Sequence, residues 1–306
     1  MASAWPSVSY EAWSETCDTL HAYTQLLGKL AVALAPPEPE LQHAALRLTA
    51  RGWETAPLPA PDGSGNLLVA LDLRSHHVVI ESSTKEGRRI GLVPARPVGA
   101  VTREVLGAIS DLVGPVHIDM RPQEVPWSVH LDEDDIHMHY DAGQVNSYFA
   151  AASQAALVLA AFRAPYRGRS TPVNAWWGSF DLSVSLYSGL PATPPSNDFI
   201  MRNAMDAQEI AVGWWPGDLR YGKAAFYAYA HPAPVGFESA TLSPSPARWD
   251  AALGEYILNW DDVRTAPDPE AAGLDFARSA FRHACLICEW DDALVASMEG
   301  SPPPVV

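Results

Sequence analysis

The stretch DEDDIHMHYDAG, residues 132–143, gathers five carboxylates and two histidines within twelve residues. Two chemistries use such groups. His137 and His139, spaced i and i+2, put both imidazoles on one side of an extended segment, and His130, Asp141, Glu209 or His231 could complete a zinc or iron shell. An acid–base reading rests on position instead. Asp141 stands three residues before Gln144, a capping-box spacing that opens a helix. The positive helix end would then favour a neutral imidazole at His137, ready to accept a proton beside Tyr140. The run lacks the glycine and terminal glutamate of a calcium-binding EF-hand loop. Residues 132–135 read as a solvated acidic approach to the helix, which leaves His137, His139 and Tyr140 as the chemical candidates.

A second set of candidates lies on strands. Over 174–187 the residues alternate, with Trp176, Phe180, Leu182, Val184 and Leu186 facing one way and Trp177, Ser179, Asp181, Ser183, Ser185 and Tyr187 the other. Residues 208–215 put Glu209 and Trp215 opposite Ile210, Val212 and Trp214, and 224–231 put Tyr227, Tyr229 and His231 opposite Phe226 and Ala228. As neighbours in one antiparallel sheet, these strands would collect Trp177, Asp181, Glu209, Trp215, Tyr227, Tyr229 and His231 on one face. Apolar walls with a few polar groups are what a ligand site needs. Exclusion of water by aromatic rings also raises a carboxylic acid's pKa, which suits Asp181 or Glu209 to acid–base work. GSF around Ser179 is not a GxSxG nucleophile elbow.

Elements that would position these groups can be read from periodicity. A helix is expected over 11–34, with Trp13, Cys17, Leu20, Leu27 and Ala31 on its buried side; Asp18, His21 and Gln25 share the opposite face, expected to be solvated. Strands follow at 46–49, 67–73 and 78–81, then a helix at 98–113 and a further strand at 116–120. In the second half, helix 142–162 precedes strands at 174–187, 208–215, 224–231 and 256–260 and a helix at 270–288. Helix, meander and helix thus recur over 10–113 and 141–288. The fold class is α+β, two antiparallel sheets flanked by helices in two similar halves, 1–125 and 126–300, followed by a frayed tail at 301–306.

Composition narrows the partners. A formal net charge of −16 over 306 residues repels phosphate backbones and anionic lipid, so neither nucleic acid nor membrane is expected. Charged residues interrupt the first 35 positions, so no signal peptide is read, and the apolar window 150–162 is too short to span a bilayer. The reading is cytoplasmic. Three cysteines form no disulfide framework, and Cys285 and Cys288 fall on a helical pattern as small core residues. Seventeen of the twenty basic residues are arginine, which with abundant Ala and Pro fits a GC-rich bacterial genome.

The stretches CDTLHAYTQLLGKLAVALAPP, LTARGWETAPLP, WGSFDLSVSLYSG, GWWPGD, AFYAYAHPAPVGF and LGEYILNWDDVRTAPDP resemble those of a widespread bacterial family catalogued only as a domain of unknown function. The resemblance covers nearly the whole chain and implies one conserved unit, with no activity attached. It also implies histidines where this chain has Asn174 and Gln208, alongside a histidine similar to His137. Two imidazoles replaced by amides would weaken a family metal centre, while amides still orient a substrate through hydrogen bonds.

The leading expectation is a cofactor-independent enzyme acting on a small organic molecule by acid–base chemistry, of cyclase, isomerase, lyase or hydrolase type. His137 is the base, Asp181 or Glu209 the acid, Tyr140 an auxiliary, and Trp177, Asn174, Gln208, Trp215, Tyr227, Tyr229 and His231 the binding groups. The rivals are a zinc- or iron-dependent oxygenase or hydrolase using His137 and His139, and a non-catalytic small-molecule-binding or scaffold protein.

Overall fold

The computed structural model describes residues 5–299. They form two compact units, one of residues 9–153 with 174–181, the other of the residues before 9 together with 154–173 and those from 182 onward. The expected tail at 301–306 lies outside the described residues.

In the first unit, helix α1 (Tyr10–Leu34) ends at Ala35, which is extended (ψ 144°) as the residue before a proline prefers. Its strands β1 (Arg47–Leu48), β2 (Gly52–Glu54), β3 (Leu58–Pro59), β4 (Asn66–Asp72), β5 (His77–Ser82) and β6 (Arg88–Gly91) form an antiparallel sheet of order β1-β2-β4-β5-β6, with β3 paired to β4. The strands β2, β3 and β6 were not expected, since segments of two to four residues are too short to show a period. Helix α1 packs on β3 and β4, and helix α2 (Val98–Val113) on β5 and β6. Leu67, Val69, Leu71, Val78 and Ile80 fill the space between, each essentially inaccessible. Burying such side chains fully is worth about 1.5–3 kcal/mol apiece, so this layer fixes α1 firmly against the sheet.

Residues 114–141 form a long irregular connection, and the strand expected at 116–120 is not formed. Helix α3 (Ala142–Arg163) follows. Asp141 caps it as expected, its Oδ1 accepting the Gln144 amide at 2.8 Å. The helix start is tied to α1 as well, through the Asp141 amide on Thr16 Oγ1 (3.2 Å) and Gln144 Nε2 on the Ala12 carbonyl (2.9 Å). By length and composition α3 could cross a membrane, so the sequence estimate of too short an apolar segment is corrected. A core helix of a soluble protein passes the same test, and Val145, Tyr148, Ala152, Ala155, Leu159 and Phe162 are buried.

The expected continuous strand at 174–187 is also corrected. Strand β7 (Asn174–Trp176) is separated from β8 (Asp181–Pro191) by a turn in which Phe180 has φ 57°. That left-handed conformation breaks the two-residue alternation, so Trp177 and Ser179 do not share the face of β8 by strand geometry.

In the second unit, β8 is followed by α4 (Phe199–Ala204), β9 (Ala207–Trp215), β10 (Ala225–His231), β11 (Arg248–Asp250), β12 (Glu255–Asn259), α5 (Trp260–Arg264), α6 (Pro269–Cys288) and α7 (Asp292–Ser297). The second antiparallel sheet has the order β11-β12-β10-β9-β8-β7. Its apolar face carries Leu182, Val184, Val212, Trp214, Phe226 and Leu258, all inaccessible, and α6 packs on β9 and β10. Asp268 caps α6 through the Ala271 amide (3.0 Å), with Pro269 at its first position. Cys285 and Cys288 are free thiols on α6, and burial raises both above the ordinary thiol range. The architecture is α+β with two antiparallel sheets.

Candidate functional site

Four polar residues of α1, Asp18, His21, Gln25 and Lys29, follow one another at intervals of three, four and four and so lie on one stripe of the helix. That stripe is not solvated as expected. His21 is 8% exposed, Gln25 0% and Lys29 4%. Buried polar groups need partners, and the turn after β7 supplies them. His21 Nε2 lies 2.9 Å from the Trp177 carbonyl and 3.0 Å from the Gly178 carbonyl. Carbonyls only accept, so Nε2 carries the proton. Gln25 donates to the carbonyls of Gln123 (2.8 Å) and Trp177 (3.2 Å) and accepts the Gln123 amide (3.1 Å). These bonds hold both the turn and the irregular 114–141 segment against α1.

The left-handed Phe180 turns its ring into the middle of this region. It stacks at 4.9 Å on His21 and at 5.2 Å on both Trp53 and Tyr148. Trp53 Nε1 donates to the Tyr148 hydroxyl (3.1 Å), and full burial pushes the Tyr148 phenol well up, so it stays neutral. A non-glycine residue at positive φ costs energy, and the four-ring stack is the compensation visible here.

His137 sits in the same unit. Asp134 is 1% exposed. Its Oδ1 accepts the amides of Ile136 and His137, both at 3.0 Å, and its Oδ2 meets His137 Nδ1 at 2.7 Å. The expectation that residues 132–135 are all solvated is therefore corrected at Asp134, because a turn closed by its own side chain folds the carboxylate inward. Burial by itself would raise the Asp134 carboxyl. The hydrogen bonds from the His137 ring and amide outweigh it and hold the group below the usual carboxylate range. An ionised carboxylate only accepts, so Nδ1–H of His137 donates and Nε2 is left to act. The backbone of this loop is fixed by α2, whose first amides, Val98 and Gly99, bond the carbonyls of His137 (3.0 Å) and Asp134 (2.8 Å). Helix α2 has no side-chain cap of its own, so the loop satisfies its open donors.

Trp127 links the two histidines, its ring lying 4.3 Å from His137 and edge-on at 5.2 Å from His21. Asp18, one turn before His21 and half-buried, makes no hydrogen bond or ion pair with any described residue. Burial raises its carboxyl, with His137 near enough to pull the other way. The His137 side chain is 12% exposed, which leaves it an opening. The result is a histidine backed by a buried carboxylate, a second acid of raised pKa, a proton-bearing imidazole and an indole wall.

Other expected residues have separate places. His139 is 61% exposed and lies 3.7 Å from Glu15, so the two imidazoles of HMH have different carboxylate neighbours. Among the described residues no group of three or more His, Cys, Asp or Glu is arranged to hold a metal ion. Tyr140 is buried, its hydroxyl 3.1 Å from His76 Nδ1, and burial raises the phenol and lowers the imidazole. Asn174 is 1% exposed and spans Arg47 Nη1 (2.5 Å) and Gln42 Oε1 (3.1 Å). Trp177 donates Nε1 to the Ala44 carbonyl (3.0 Å), and Asp181 accepts from Ser179 Oγ (2.5 Å).

In the second unit the register pairs Ala225 with Trp215, Tyr227 with Gly213, Tyr229 with Ala211 and His231 with Glu209. Glu209, Trp215, Tyr227, Tyr229 and His231 therefore share one face, while Gln208 stands on the other and accepts from Ser188 Oγ (3.1 Å). Trp215 meets Tyr227 edge-on at 5.4 Å, Tyr227 stacks on Tyr229 at 6.2 Å, and the Tyr229 hydroxyl lies 3.4 Å from Glu209 Oε1. A Cβ at Gly213 would collide with the Tyr227 ring, so the glycine makes room for the aromatic row.

Asp134, Asp18, Trp127 and Phe180 were missed as members of the site. The spacing of Asp134 and His137 was a usable signal for the first; nothing local marks Trp127. No curated protein and no solved structure gives a significant match. The Family of unknown function (DUF5996) matches residues 5–297, and the chain belongs to that family.

Proposed function

We propose that this protein is a cofactor-independent cytoplasmic enzyme that moves protons on a small organic molecule, in a cyclase, isomerase, lyase or hydrolase type of reaction. The observation that carries the reading is the 2.7 Å contact between buried Asp134 and His137 Nδ1. A carboxylate behind an imidazole fixes its tautomer and stabilises the imidazolium that forms when Nε2 takes a proton. Asp18, kept protonated further up the pH scale by burial, is suited to donate a proton. The sequence points to Asp181 or Glu209 for this role; Asp18 has the better claim because burial raises its carboxyl and it lies within electrostatic reach of His137. Trp127 supplies an apolar wall that limits water.

The test is to incubate purified protein with a bacterial metabolite extract and to compare it with His137→Ala by mass spectrometry. Depletion of one metabolite and appearance of a product with the parent, absent with His137→Ala, is the expected result. Identical profiles overturn the reading.

A second reading, non-catalytic binding of a small molecule on the aromatic face of the second unit, is favoured by His231, whose buried Nε2 has no hydrogen-bond partner among the described residues. A ligand group that hydrogen-bonds the ring nitrogen would satisfy it. Retention of a co-purifying compound by His137→Ala and its loss in His231→Leu would favour this reading.

A further inference from the structure

Lys29 is one of three lysines in the chain. Lys85 and Lys223 are exposed, whereas Lys29 is 4% exposed. Its amine stands 5.5 Å from the centre of the Trp177 ring and makes no hydrogen bond or ion pair with any described residue. Gln25, one turn earlier on the same stripe, has its amide committed to Trp177 and Gln123 and its oxygen to the Gln123 amide, so it offers nothing to the ammonium. A charged amine in such surroundings is costly, and the group answers by giving up its proton more readily. Burial lowers its basicity, with Asp119 opposing and Arg121 adding to the effect. Those two surface groups are paired with each other at 3.3 Å. A buried primary amine with no direct ion pair is, once deprotonated, a nucleophile toward carbonyl carbon.

We propose that Lys29 is a covalent binding site for a small aldehyde or ketone, which it holds as an imine. The Nζ lone pair forms a C–N bond to the carbonyl carbon, the C–O bond breaks, and the oxygen leaves as water with the two amine hydrogens. Protonation of the imine nitrogen from solvent gives an iminium whose charge faces the Trp177 indole, the geometry that now holds the amine. The step uses neither His137 nor Asp134, so this site and the proton-transfer site stand or fall separately.

The experiment is reductive trapping. Whole protein at neutral pH is treated with glycolaldehyde and sodium cyanoborohydride, whose hydride adds to the iminium carbon and leaves a stable secondary amine, and the peptides are mapped by mass spectrometry. The Lys29 peptide should gain the reduced adduct several-fold faster than the Lys85 and Lys223 peptides of the same sample. His137→Ala should trap equally well, and Lys29→Met should lose the fast adduct. Lys29 left unmodified in the parent, or modified no faster than the two exposed lysines, overturns the proposal. The comparison within one folded chain keeps the test decisive even if Lys29→Met does not fold.

Discussion

Asp134 bonds the His137 imidazole and Asp18 lies within its electrostatic reach; the two carboxyls are shifted in opposite directions, and the signs separate their roles. The folded Asp134 carboxyl is the stronger acid than its unfolded counterpart. Its stabilisation is complete above the unfolded pKa of about 3.9 and fades as pH falls through the folded value. Asp134→Asn should lower stability at pH 7 by about 1.5–3 kcal/mol, the worth of hydrogen bonds to a charged group, and the deficit should shrink in melting curves as pH falls below the unfolded pKa. Asp18 is the weaker acid when folded, so the native state loses stability as pH rises from the unfolded pKa through the folded one. Asp18→Asn should be more stable than the parent above that interval, by up to about 1 kcal/mol, a gain of the kind obtained when an active-site strain is relieved. The same change should slow turnover. On the proposed acid–base reading, His137→Ala should reduce kcat by roughly 10²–10⁴-fold, read on the reaction identified by metabolite profiling.

At the scale of elements, the stripe on α1 depends on the turn after β7. A Cβ added at Gly28 would fall inside the Trp177 indole. Glycine to alanine within a helix ordinarily gains up to about 1 kcal/mol. Here overpacking should win, and Gly28→Ala should lose about 1–3 kcal/mol in chemical denaturation. A stabilised Gly28→Ala would show that the turn does not press on the helix. Much of this architecture was legible in the sequence: α1, α2, the cap at Asp141, and β4, β5, β9 and β10 all follow from period and punctuation. What was not legible has a common cause. Whether a polar stripe meets water or a second polar surface is decided by residues more than a hundred positions away, as His21 and Trp177 are. Likewise Phe180 carries no residue-level sign that its φ is positive, and a clean alternation of side chains ran straight across it. The shared face of Glu209, Trp215, Tyr227, Tyr229 and His231 could be read because it lies within regular strands.

For the molecule as a whole, the charge of −16 sets an expectation about partners. The protein should pass unretained through immobilised DNA or heparin at about 50 mM salt, where phosphate or sulfate contacts are strong; salt-dependent retention would reveal a basic surface that the composition hides. The order of the chain has a different consequence. The first unit is assembled from residues 9–153 and then 174–181, so during synthesis α1 and its sheet emerge long before the carbonyls of Trp177 and Gly178 that receive His21 and Gln25. At about 5–20 residues per second of translation, the His21 imidazole spends seconds without the carbonyls that later receive it, and Gln25 has only its Gln123 partners. A nascent chain stalled before residue 174 should therefore be cleaved readily by protease along α1, and one stalled well past residue 181 should be protected there.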